Sequence, residues 1–103
     1  QQLITLLTRH YKREHTIDFY ARSLSISPSY LSRIIRQTTH KTAGYFINGL
    51  LYAEACRLLR HTDRTIQAIA DELNFSDQSA FGKFFKTNAG LSPLRYRNRS
   101  VKS

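Results

Sequence analysis

The stretch IADELNFSDQSAFGKFF, residues 69–85, decides the fold. Ile69, Ala70 and Leu73 continue a helical spacing that begins at Ile66, and Phe81, Phe84 and Phe85 set out a second apolar face after a break at residues 74–77. Two short amphipathic helices across so tight a turn make a helix-turn-helix. The same unit stands earlier in the chain. Aligning IDFYARSLSIS (17–27) with IQAIADELNFS (66–76) pairs Ile17 with Ile66, Ala21 with Ala70, Leu24 with Leu73, Ile26 with Phe75 and Ser27 with Ser76. After one inserted residue, PSYLSRIIRQTTHKT (28–42) follows QSAFGKFFKTNAGLS (78–92), pairing Leu31 with Phe81, Arg33 with Lys83, Ile35 with Phe85 and Arg36 with Lys86. A match of small, apolar and basic positions over about 25 residues marks a tandem duplication.

The local chemistry of each copy follows from its residue types. Thr16 and Thr65 are the expected N-caps of the first helices, and Ser27 and Ser76 those of the second, with Pro28 at a first helical position. Ala21 and Ala70 sit mid-face, where a small side chain lets another helix cross closely. Ser25 and Asn74 take the corner, and Ile26 and Phe75 plug back into the core. Neither corner residue is glycine, so the turn carries slight strain, less at Asn74 because Asn tolerates positive φ.

The second helices explain why such a unit is built. With Leu31, Ile34 and Ile35 facing inward, Ser29, Ser32, Arg33, Arg36 and Gln37 form a contiguous outer stripe. With Phe81, Phe84 and Phe85 inward, Gln78, Ser79, Gly82, Lys83 and Lys86 do the same. Both stripes are polar, cationic and free of carboxylates. Such a helix fits a DNA major groove, where Arg, Lys and Gln reach base edges and short Ser and Gly let the backbone come near. Gly82 costs about 1 kcal/mol relative to Ala inside a helix, which close approach to a duplex explains. A single basic stripe is commonly a solvated face; two equivalent stripes on a repeated unit favour the groove.

Composition agrees. Sixteen Lys and Arg against seven Asp and Glu give +9 and a pI near 10.2, as in proteins that meet a polyanion. The excess is uneven, for no acid follows Asp77. Between the copies, TAGYFINGLLYAEACRLLRHT (42–62) is apolar around most of a helical circumference, as expected of a strut buried between two bodies. About twenty residues at 1.5 Å span roughly 30 Å, near the ~34 Å between successive major-groove segments on one face of DNA. The expected organisation is all-α with about seven helices: a first unit at 3–41, the linker helix at 42–62 and a second unit at 63–103. LITLLTRHY (3–11) should pack on the first unit. Ser92 with Pro93 starts a last helix after Gly90, and its amino end, like that at Thr42, suits a phosphate. Lys41, Lys86, Arg95 and Arg97 complete the candidate phosphate contacts.

Other classes find less support. The four His show no ligand spacing with Asp, Glu or Cys, and Gly-rich phosphate loops are missing, so no enzyme, metal or cofactor is expected. Cys56, the lone cysteine, reads as a small buried hydrophobe. No run reaches a membrane span and no signal peptide is visible at Gln1, which points to the cytoplasm. The lack of Met at position 1 points to a fragment of a longer polypeptide. The principal rival is a helical protein-interaction module using Tyr30, Tyr45 and Phe84 at a surface. RNA ranks lower, because a narrow A-form major groove does not admit these helices.

The chain resembles the DNA-binding domain of AraC/XylS-type bacterial transcription regulators. The resemblance covers essentially its whole length and is most specific in IQAIADELNFSDQSAFGKFFKTNAGLSPLRYR (66–97), through Ile69-Ala70, Phe75, Ser76-Asp77-Gln78-Ser79, Phe81, Phe85-Lys86, Gly90, Pro93 and Tyr96-Arg97. The first copy matches through Ala21, Leu24, Ser27, Tyr30-Leu31-Ser32-Arg33 and Ile35. The resemblance implies a seven-helix domain that binds double-stranded DNA as a monomer of two linked readers. Base readout then falls to Ser29, Ser32, Arg33 and Arg36, and to Gln78, Ser79, Gly82 and Lys83. It also implies RNA polymerase as a partner and a further sensory or dimerisation domain in the full-length protein. The chain departs from the family pattern at Asn74 and His40, where glycine is familiar, and at Leu51-Tyr52, where an Arg-Leu pair is usual.

Overall fold

Two tight corners with the same backbone path set the architecture. The computed structural model describes residues 2–102, with side chains through Arg99. Its described residues form seven helices and no strand: α1 (Gln2–His10), α2 (Ile17–Ser23), α3 (Pro28–Thr39), α4 (Ala43–His61), α5 (Ile66–Glu72), α6 (Gln78–Ala89) and α7 (Pro93–Lys102). At the corners Ser25 and Asn74 take φ of 60° and 63°. The next residue then turns its N–H back to the mid-face alanine: Ile26 to the Ala21 carbonyl at 3.0 Å, Phe75 to the Ala70 carbonyl at 2.9 Å. The expected strain is therefore real at Ser25, where left-handed backbone costs a non-glycine residue about 1 kcal/mol. α3 and α6 also end alike, on His40 at φ 64° and Gly90 at φ 83°, each sending its N–H to the carbonyl four residues back.

The caps correct the sequence reading in two places. Thr65 Oγ1 accepts the Ala68 N–H and Ser27 Oγ accepts the Tyr30 N–H. Thr16 holds the N-cap position of α2, but its side chain makes no capping hydrogen bond. Before α6 the cap is Asp77 rather than Ser76, its Oδ1 accepting the Ala80 N–H at 2.7 Å. The residue inserted in the second copy shifts the helix start by one, and it supplies a carboxylate that the positive helix end favours more than a hydroxyl.

The chain divides into two compact units within α4, between Leu51 and Tyr52. In the first, α1 packs on α2 and α2 on α3, around buried Tyr20, Ala21, Leu31 and Ile35. The Tyr20 hydroxyl donates to the Glu14 carbonyl at 2.9 Å, and burial, then the Glu14 charge, pushes its pKa up to about 12. The phenol thus stays a neutral donor across the physiological range. An apolar pocket of about 440 Å³ opens in this unit among α1, α3 and the start of α4, lined by Leu7, Leu31, Ile35, Phe46 and Ile47 among others. Ile34, expected inward, stands on its rim at 36% exposure.

Aromatic rings fill the second unit. Phe81 and Phe85 replace Leu31 and Ile35, and ring centroids follow one another from Phe84 to Phe75 (5.0 Å), Phe75 to Phe81 (5.4 Å), Phe81 to Phe85 (6.0 Å) and Phe85 to Tyr96 (5.2 Å). Leu58, Leu59, Ile69, Ala70 and Leu73 are buried around them, and so is Cys56. Arg64 pairs with Glu72 and ties the approach to α5 to its last turn. α4 itself buries Ile47, Leu51, Ala55, Leu58 and Leu59, while Asn48, Gly49, Ala53, Arg57 and Arg60 are exposed. It therefore has a solvent side that its apolar composition did not announce. No helix among the described residues is long and apolar enough to cross a membrane.

Candidate nucleic-acid interface

α3 is an amphipathic helix with a clear division of labour. Leu31 and Ile35 are buried, which fixes the rotation of the helix and turns the intervening polar positions outward. Ser29, Ser32, Arg33, Arg36 and Gln37 come together with Pro28 and Ile17 around a single open depression. All five candidate base-reading side chains of the first unit thus share one surface. α3 contains no carboxylate, so Arg33 and Arg36 are not neutralised from within it.

On α6, buried Phe81 and Phe85 impose the same rotation. Gln78, Ser79, Lys83 and Lys86 are exposed, and Gly82 is half-buried. A Cβ built on Gly82 meets no atom within 4 Å, so nothing in the protein's own packing requires glycine there. The two copies present the same layout, with the longer arginines on the first and lysines and a glycine on the second.

The helix starts flank these stripes. Thr42 Oγ1 accepts the Tyr45 N–H at 3.1 Å at the head of α4, and Ser92 Oγ accepts the Arg95 N–H at 3.2 Å at the head of α7. Both hydroxyls keep their own protons for an outside acceptor. Lys41, whose Nζ lies 5.0 Å from the centre of the Tyr45 ring, and Arg95 are exposed beside them. Arg97, expected as a phosphate contact, is turned elsewhere. Its Nε donates to the Leu59 carbonyl at 2.9 Å, and its Nη2 to the carbonyls of Thr62 at 3.2 Å and Leu58 at 3.4 Å. The end of a helix leaves carbonyls without partners inside the helix, and the cationic fork meets those of Leu59 and Thr62, while that of Leu58 also accepts from the Thr62 N–H and Oγ1. Arg97 leaves the candidate phosphate set on this geometry.

A helix-turn-helix domain family matches residues 20–99. Regulatory protein SoxS of Escherichia coli is 33% identical over 99 residues, covering 96% of this chain and 92% of its own. The chain belongs to the AraC/XylS-type helix-turn-helix transcription regulators. The HTH-type transcriptional regulator YisR of Bacillus subtilis is 34% identical over 91 residues, covering 88% of this chain but 32% of its own, so the chain spans about a third of that relative. Among solved structures, the C-terminal domain of the response regulator yesN from Fusobacterium nucleatum superposes with a TM-score of 0.88 at 22% identity, covering 93% and 94% of the two chains. The DNA-binding domain of AdpA, solved in complex with a target DNA, gives 0.84 at 20% identity, covering 95% and 88%. These two likenesses concern the fold.

Within this AraC/XylS-type domain, sequence reasoning missed the Arg97 clamp and the Asp77 cap. Arg97 could not be found from spacing, because its partners lie 35 to 39 residues away. Asp77 was legible, since an acid directly before a helix that starts at Gln78 is a capping signal.

Proposed function

We propose that the chain binds double-stranded DNA sequence-specifically, laying α3 and α6 in successive major-groove segments, and so regulates transcription. The observation that carries the reading is the convergence of Ser29, Ser32, Arg33, Arg36 and Gln37 on one open surface of α3. These are the side-chain types that pair with guanine and adenine edges, and α3 holds no acid to repel the backbone. In the second unit Gln78, Ser79, Gly82 and Lys83 read, while Lys41, Thr42, Lys86, Ser92 and Arg95 hold phosphates. RNA polymerase contact, action as a monomer, a cytoplasmic location and a further sensory or dimerisation domain in a longer protein belong to the same proposal.

Selection from random duplexes tests it directly. The expected product is two half-sites about one helical turn apart. Affinity for the selected duplex should fall with salt, log K against log salt having a slope of about −3 to −5, since each phosphate contact contributes about −0.9. Failure to enrich any sequence, with a flat salt response, would sink the reading. Gly82→Ala is a further check. Free of steric conflict, it should stabilise the free protein by about 0.5 to 1 kcal/mol in a urea titration, yet weaken binding to the selected duplex because the added methyl holds the backbone away.

The rival reading, a protein-docking surface, has one observation in its favour: Tyr30 and Tyr45 are exposed.

A further inference from the structure

The exposed tyrosines among the described residues are Tyr30, at 45%, and Tyr45, at 56%. A cation stands against each. The Arg33 guanidinium carbon lies 5.6 Å from the Tyr30 ring centre, and Lys41 Nζ lies 5.0 Å from that of Tyr45, both inside the ~6 Å range over which a ring's negative face attracts a positive charge. Neither cation is an arbitrary one, since Arg33 lines the α3 depression and Lys41 adjoins the head of α4. At the equivalent positions fifty residues on stand Ala80 and Arg95, so the second unit lacks both rings.

We infer that Tyr30 is a positioning residue that restrains Arg33 for base reading, and that Tyr45 restrains Lys41 in the same way for phosphate; the inference rests on the DNA reading above. Arg33 borders the depression and Tyr30 does not, so the ring holds the guanidinium from outside the reading stripe. Tyr30 and Arg33 stand three residues apart on α3, the spacing at which side chains on one helix face meet. A long side chain loses rotamer freedom when it reaches a base, and a ring that has already narrowed that freedom leaves less to lose. The first unit is thereby ordered in advance, whereas the second has Ala80 and Arg95 where these two tyrosines would stand.

A double-mutant cycle decides it. Affinity for the selected duplex and for a random one is measured for the parent, Tyr30→Phe, Tyr30→Leu, Arg33→Ala and Tyr30→Leu combined with Arg33→Ala, with thermal melts to verify folding. Tyr30→Leu should weaken selected-duplex binding about two- to fivefold and leave random-duplex binding unchanged. Tyr30→Phe, which keeps the ring, should bind like the parent, and Tyr30→Leu should cost nothing more once Arg33 is gone. Tyr45→Leu should weaken both duplexes alike. No loss with Tyr30→Leu, or an equal loss in the Arg33→Ala background, overturns the inference. Proton NMR of the free protein separates it from the DNA reading: the Arg33 side-chain protons should be shifted upfield by the ring, a shift kept in Tyr30→Phe and lost in Tyr30→Leu. An unshifted Arg33 overturns the pairing whatever the DNA result. A parent with shifted Arg33 protons that binds no duplex overturns the DNA reading and leaves the ring pair standing.

Discussion

Replacing Arg97 by Ala is expected to destabilise the second unit by about 2 to 3 kcal/mol, a large fraction of what holds a domain of this size. Three carbonyl oxygens, those of Leu58 and Leu59 in the last turn of α4 and of Thr62 just beyond it, accept from one guanidinium. The Leu58 carbonyl also accepts from the Thr62 N–H and Oγ1, so the loss falls chiefly on the carbonyls of Leu59 and Thr62. Hydrogen bonds with a charged donor contribute about 1.5 to 3 kcal/mol each, but the three share one side chain and do not add. The cation also offsets the negative end of the helix dipole. Urea unfolding should show the midpoint fall at an unchanged slope. Arg97→Lys should recover only part of the loss, because an ammonium cannot reproduce a planar fork. Full recovery by Lys would mean that charge alone mattered, and an Ala variant as stable as the parent would mean that water replaces the clamp.

Arg33→Ala is expected to weaken binding to the selected duplex by about 1 to 3 kcal/mol, five- to more than a hundredfold, and to relax discrimination at one or two base pairs. Stability should hardly move, because Arg33 is exposed on a helix whose rotation is fixed by buried Leu31 and Ile35 and Ala is the better helix former. The contrast is Lys41→Ala, which should weaken selected and random duplexes alike and flatten the salt slope by about one. Competition titrations against duplexes changed one base pair at a time distinguish the two. If Arg33→Ala loses the same factor on random DNA, Arg33 is a phosphate contact and α3 is not read through it.

How much of this was legible in advance depended on the distance between cause and effect along the chain. The duplication and the apolar faces of α2, α3, α5 and α6 were legible because helical spacing is a local property. The caps at Ser27 and Thr65 were legible for the same reason, and each hydroxyl accepts the N–H of the residue three positions on. The outer stripe of α3 followed from its inner one, since fixing two buried residues on a rigid helix fixes the rest. The reading slipped at particular residues. Thr16 holds a cap position without capping, Ile34 lies on the rim of a pocket rather than within a core, and Arg97 turns to a helix end instead of to solvent.

From its residues alone the chain determined that it is helical, twofold repeated, cationic on its second helices and of the AraC/XylS type. Only the tertiary structure decided that Arg97 is withdrawn from the surface to hold the end of α4, with partners 35 to 39 residues away, whereas Arg33 and Lys41 meet tyrosine rings three and four residues off. The physical reason is that periodicity along the chain selects the side of a helix a residue occupies, whereas the partner of a long charged side chain is chosen by whatever polar group or ring folding brings within its reach.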